Sequence, residues 1–199
     1  MSEDLPYGSA SAGWVRAPEA RQKILDATIE MLREHAFADV TTAMIAERSG
    51  TNRPSINRNF GTREQLFDCV TKELSNRFAE RAEDSAPTQI LSDPDIVLRT
   101  RLIAWLLGEG LAPDDLAVRS TSRAGEATLR RQRRHGVGEE TARIFNQMMV
   151  LLAEGFIVFW DTHVDFSDED LIRGIELLGA IQRQLPHLEE LLGWTAPGG

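Results

Sequence analysis

The spacing of apolar positions divides the chain into helices of unequal length. Through RQKILDATIEMLREH, from Arg21 to His35, the residues Ile24, Ala27, Thr28, Met31 and Leu32 recur three and four apart, so one face is apolar. This predicts a helix that opens near Pro18 and is followed by a short link carrying Phe37 and Val40. A second helix is expected after Thr41, whose hydroxyl can accept from a free amide of the first turn while Val40 packs back on Ile45. Ile45 and Ala46 supply its inner side. Ser49-Gly50 stops it, because glycine tolerates the left-handed conformation common just past a helix end. Asn52 then caps a third, short helix, about Arg53 to Asn59, with Pro54 in the first turn where a missing amide hydrogen costs little. Gly61 ends it. Thr62, with Gln65 three residues on, forms a capping box for a fourth helix that buries Leu66, Phe67, Val70 and Leu74 and runs to about Asp84.

Beyond a linker, SAPTQILSDP, the helical pattern restarts at Ser92 or Asp93 before Pro94 and runs through IVLRTRLIAWLLGEGL. Pro113-Asp114-Asp115 opens a short element, and TSRAGEATLRRQRRHG reads as a basic, mostly exposed one. From Glu139 a long apolar helix runs through ARIFNQMMVLLAEGFIVFW. A last helix, LIRGIELLGAIQRQL, follows Ser167 with Asp170 as its capping partner, and the tail PHLEELLGW adds one turn. No segment alternates with period two between turn signals, so the expected fold class is all-α.

Composition bounds this picture. At 199 residues the chain can hold one ordinary core, or a small domain plus a larger one. Residues 1–16, rich in Gly, Ser and Ala and without periodicity, are expected to form a disordered arm. No apolar run is expected to approach the roughly 20 residues that span a bilayer. No basic region followed by an apolar stretch opens the chain, so no secretory signal is expected. The single cysteine, Cys69, excludes an internal disulfide framework and fits a reducing cytoplasm. The formal charge of −9 argues against a protein that coats nucleic acid everywhere. Between Thr41 and Arg63, however, Arg48, Arg53, Arg58 and Arg63 face Glu47 alone, an island of +3. Such asymmetry marks a place where an anionic partner can dock, with a solvated polar face as the alternative.

Two short helices joined by a tight glycine-containing turn make a helix-turn-helix, here about 41–60, with the second helix free for a major groove. Ile56 and Phe60, four apart, face the supporting helices. Arg53, Ser55, Asn57 and Arg58 are left a route to the surface. An arginine fork grips guanine or phosphate, asparagine reads an adenine edge, and free amides at a helix start favour phosphate. The competing reading is a helical ligand-binding or protein-interaction module whose helix-turn-helix is only scaffold.

From about Arg21 to Leu74 the chain resembles the N-terminal domain of TetR-family transcriptional regulators. The resemblance rests on R-x-x-IL-x-A at Arg21 to Ala27, VTTAMIAERSG at Val40 to Gly50, the segment ending in Phe60, and TREQLF at Thr62 to Phe67. It implies a helix-turn-helix DNA-binding domain over 17–64, followed over 65–199 by a helical effector-binding and dimerisation domain. It further implies a homodimer on a palindromic double-stranded DNA operator, a repressor released by a small-molecule effector. By this resemblance Thr42 bonds a phosphate from the start of the second helix, and Arg53, Pro54 and Ser55 take base-facing positions, with Arg58 beside them. Asn57 stands where the family usually has tyrosine and is too short to stack, and Asn59 falls where histidine is frequent. Arg63 takes a lysine place and should hold a phosphate. Ala36 stands where the family favours glycine. An alanine forced to positive φ would cost roughly 1 kcal/mol, so the first helix is expected to end by another route.

In the C-terminal half, Leu171, Ile175, Leu178, Ile181 and Leu185 form a stripe expected at the dimer contact, with Gly174 and Gly179 allowing close helix approach. The preceding helix is apolar on more than one side, as befits a helix touching both its own core and a second subunit. Trp105, Phe145, Met148, Met149 and Phe156 are candidates to line a mostly apolar effector pocket, against a plain core role. Arg99, Arg101, Arg119 and Arg123 suit an acidic ligand or, alternatively, ion pairs. The four histidines are scattered, and His163-x-Asp165 is the one close ligand-like pair, so no metal site is expected. No glycine-rich phosphate loop and no serine-centred nucleophile motif occur, so no catalytic residue and no cofactor are expected.

Overall fold

In the computed structural model, which describes residues 17–81, 91–116, 136–163 and 167–194, seven α-helices and no strands form among the described residues. They are α1 (Ala17–Glu34), α2 (Thr42–Ser49), α3 (Arg53–Phe60), α4 (Arg63–Arg81), α5 (Pro94–Gly108), α6 (Glu139–His163) and α7 (Asp168–Leu192). The expected disordered arm, the linker residues 85–90 and nearly all of the basic TSRAGEATLRRQRRHG element lie outside the described residues.

Local chemistry accounts for the helix ends. The Thr41 hydroxyl accepts from the Met44 amide at 3.3 Å, and Asn52 Oδ1 accepts from the Ser55 amide at 2.8 Å. Gln65 and Thr62 close a reciprocal box: the Thr62 amide donates to Gln65 Oε1 at 2.8 Å and the Gln65 amide to Thr62 Oγ1 at 3.2 Å. Gly50, at φ 64°, takes the left-handed turn after α2. Ala36 avoids that conformation, with φ −61° and ψ 140°, and the chain leaves α1 through a 3-10 turn at Phe37–Asp39. The missing glycine therefore costs no backbone strain at this point.

Ile24, Ile29, Ile45, Ile56, Leu66, Phe67 and Leu74 are sealed from solvent, each stabilising by about 1.5–3 kcal/mol. Leu98, Leu102 and Leu106 of α5 join the same cluster. α4 thus runs through the position where one domain was expected to give way to the next, and its buried side serves α1 to α3 and α5 together. A polar seam follows the apolar one. Buried Asp95, at the start of α5, is paired with Arg33 of α1 and, at 2.6 Å, with Arg81 of α4. Arg99 donates to Ser75 of α4 at 2.8 Å and to Glu154 of α6 at 2.9 Å, tying three helices.

α6 and α7 meet through Val137, Ala142 and Leu185, flanked by Phe145 and Leu188. Ser167 and Asp170 form the expected capping box. α7 continues through Pro186, which removes one helical amide, and ends at Gly193 with φ 67°. The turn beyond the proline is anchored from outside, because buried Glu189 accepts the Gly138 amide on both carboxylate oxygens, at 3.1 and 3.0 Å. One expectation needs correction. Glu139–Trp160, 22 residues holding an 18-residue window of mean hydropathy 1.4, is by length and composition alone long and apolar enough to cross a membrane. Polar Asn146, Gln147 and Glu154 interrupt the run to the eye, but the flanking Met, Val, Leu, Ile and Phe outweigh them.

Candidate nucleic-acid interface

α2, the Gly50–Asn52 turn and α3 form one rigid corner. The Thr51 amide reaches back to the Ala46 carbonyl at 2.9 Å, and the Ser49 and Thr51 hydroxyls pair at 2.8 Å. Ile56 and Phe60 hold α3 down by its inner face. Its far end is pinned by Arg21 of α1, which donates to the Asn59 carbonyl at 2.7 Å and stacks 4.2 Å over the Phe60 ring. A cation at a helix C-terminus also complements the helix dipole. Arg21 belongs to the motif that carries the family resemblance, yet its spacing alone does not reveal this role.

The outer face of α3 presents Arg53, Pro54, Asn57 and Arg58 to solvent. Among the described residues, the side chains of Arg53, Asn57 and Arg58 have no hydrogen-bond or ion-pair partner. Thr42, half-buried at the start of α2, is likewise uncommitted among them. Ser55 is half-buried, and Asn59 turns back on its own helix, its Nδ2 donating to the Ser55 carbonyl at 2.7 Å. The outer face of α3 therefore gathers Arg53, Pro54, Asn57 and Arg58, and Asn59 is turned back on its own helix.

The four arginines of the positive island separate into two kinds. Arg48 is neutralised by α1, with Nη2 2.7 Å from Glu34 and Nη1 3.3 Å from Glu30. That hydrogen bond from Arg48 holds the Glu34 carboxyl below its ordinary range. Arg63 points inward. Its Nη1 donates to the carbonyls of Ala38 at 3.1 Å and Val40 at 3.4 Å, its Nε to Glu64 at 3.0 Å, and its guanidinium lies over the rings of Phe67 and Trp105. Burial pushes the Glu64 carboxyl up, but its own amide, Arg63 and Thr62 outweigh that and hold it low. Arg53 and Arg58 thus carry the uncompensated charge of this face among the described residues.

The candidate effector residues pack in different surroundings. Trp105 packs against Phe37 at 6.2 Å and Phe67 at 5.8 Å, within the N-terminal core. Phe145 packs in the α6–α7 cluster, Phe156 lies 4.2 Å from Trp160, Met149 is half-buried and Met148 is exposed. Thr100 of α5 was not anticipated: its buried hydroxyl lacks a hydrogen-bond partner among the described residues, and nothing in its spacing signals that. Arg99 is ion-paired, while Arg119 and Arg123 lie outside the described residues. Of the candidate dimer stripe, Leu185 is buried inside this chain, Leu171, Ile175 and Leu178 are half-buried, and Ile181 is exposed. Neither Gly174 nor Gly179 is approached by another helix among the described residues.

This fold and this surface define a helix-turn-helix protein. Residues 24–70 match the family model described as bacterial regulatory proteins, tetR family. The chain is 29% identical over 80 residues to the HTH-type transcriptional repressor AcnR of Corynebacterium efficiens, and equally to that of Corynebacterium glutamicum. Each match covers 38% of this chain, which spans less than half the length of these curated relatives, 43%. Across 86% of this chain and 96% of the other, the fold is similar to the TetR family repressor AlkX from Dietzia sp. strain DQ12-45-1b, with a TM-score of 0.54 and 21% identity. Over residues 24–70 the chain is thus similar to the N-terminal domain of the tetR family of bacterial regulatory proteins.

Proposed function

We propose that this protein is a cytoplasmic, non-enzymatic transcriptional regulator that binds a palindromic operator as a homodimer and acts as a repressor released by a small molecule. One observation carries the reading: a capped, buried-anchored α3 offers Arg53, Asn57 and Arg58, without partners among the described residues, on an exposed positive face of an acidic chain. Arg53 and Arg58 supply bidentate or phosphate contacts and Asn57 a base-edge or phosphate contact. Two copies spaced about 34 Å apart would read successive major grooves, which one short helix cannot do with specificity. The exposed apolar face of α6 and α7 supports the dimer. Glu154 within α6, paired with Arg99, favours a protein partner over a bilayer there. The Thr100 hydroxyl, buried and without a partner among the described residues, supports an effector site against α5, since buried hydroxyls are normally satisfied. Binding-site selection from genomic DNA, followed by a salt titration, tests the reading. A palindromic consensus whose affinity falls steeply with salt is expected, and failure to enrich any sequence would overturn it.

A further inference from the structure

We infer that Arg63 is a positioning residue for the DNA-binding surface, setting the start of α2 against α5 through the carbonyls of Ala38 and Val40. This inference rests on the DNA-binding reading. The link between α1 and α2 carries those two carbonyls immediately before the cap Thr41 and the candidate phosphate contact Thr42. One guanidinium nitrogen of Arg63 bridges them, at 3.1 and 3.4 Å. Its Nε is fixed by Glu64 at 3.0 Å, and its guanidinium carbon lies 5.6 Å from the Phe67 ring centre and 5.5 Å from that of Trp105. Trp105 comes from α5 and also meets Phe37 of the link edge-on. Link, α4 and α5 are thus held by one side chain, and the charge that would grip a phosphate is spent holding the frame that presents Thr42. Only a fork can donate through Nε and Nη1 together while its carbon lies over the two rings, so lysine cannot replace it even though it keeps the charge.

The test uses the full chain and two readouts. Amide hydrogen exchange at residues 42–44 of the free protein should accelerate in Arg63→Ala, Arg63→Lys and Trp105→Phe, while the midpoint of cooperative unfolding confirms that each variant is folded. On the selected operator, Arg63→Ala and Arg63→Lys should both lose affinity with the salt slope unchanged. Adding Thr42→Ala to Arg63→Ala should cost little more, because Arg63 acts through Thr42. The inference is overturned if exchange at 42–44 is unaltered. It is equally overturned if Arg63→Ala lowers the salt slope by about one and Arg63→Lys restores it, the signature of a phosphate contact. If the native chain selects no DNA, the DNA-binding reading fails by itself, and exchange at 42–44 still decides whether Arg63 holds the link.

Discussion

Arg53 and Arg58 differ from Arg48 and Arg63 only in what surrounds them. All four fall in one short stretch and suit the same partner, so a charge count treats them alike. The fold returns Arg48 to Glu30 and Glu34 and Arg63 to two carbonyls and Glu64, leaving the α3 pair for an anion. The island was legible in sequence; its division was not, because the neutralising groups come from α1 and from backbone. Arg53→Ala should relax sequence preference at one operator position, by roughly 1–3 kcal/mol if it grips a guanine, read by selection with the variant. Loss spread evenly over all sequences would instead make it a phosphate contact. A second outcome concerns pH. The Glu64 carboxyl is held below its ordinary value of 4.5 in the folded chain. A depressed folded value stabilises above the ordinary one, and that contribution disappears as pH falls through the folded value. Glu64→Gln should therefore lower the thermal midpoint near neutrality and converge on the parent as pH falls below the folded value. A constant difference across that range would show that the hydrogen bonds, and not the charge, matter.

At the level of elements, the sequence is most informative where a helix end is written in the residues beside it. Asn52, Thr41, the Thr62–Gln65 box, the Ser167–Asp170 box and Gly50 all act where their chemistry places them. Local caps need only three or four neighbouring residues, so tertiary structure seldom overrides them. Asn52→Ala should cost about 1 kcal/mol of stability and fray α3 from its N-terminal end, measurable by denaturant unfolding and by amide exchange at Ser55 and Ile56. Unchanged exchange there would mean that packing of Ile56 alone orients the helix. The extension of α7 past Pro186 was harder to read, since its support comes from the Gly138 amide, far away in sequence. Glu189→Ala would leave that amide unsatisfied, with an expected cost of about 1–3 kcal/mol. Gly138→Ala should also destabilise, because an added Cβ would sit 2.6 Å from a Glu189 oxygen. If both substitutions were neutral, the α6–α7 apolar contact would be sufficient to hold the end of α7.

Across the whole molecule, the largest unexplained expense is apolar surface left in water. On α6, Met148, Leu151, Leu152 and Phe159 are more than half exposed and, at helical spacing, share one side around Gly155. On α7, Leu177, Ile181 and Leu191 continue the exposure. Large exposed apolar side chains gathered on one face of a helix mark an interaction surface. Of the stripe expected from sequence, Leu185 is buried, Leu171, Ile175 and Leu178 are half-buried and Ile181 is exposed. Both stripes repeat with helical period, so periodicity reveals a doubly apolar helix without telling which side meets its own chain. Leu151 and Leu177, 68% and 62% exposed, contribute little to the isolated fold and make the cleaner test. Leu151→Glu with Leu177→Glu should retain helicity and thermal midpoint at low concentration, yet sediment as a monomer where the parent sediments as a dimer. Operator affinity should fall toward that of one recognition helix on one half-site, with roughly half the salt slope, because half the phosphate contacts are lost. A variant that still sediments as the parent does would place the subunit contact elsewhere. One that becomes monomeric yet keeps full operator affinity would break the proposed link between this face and paired reading of DNA.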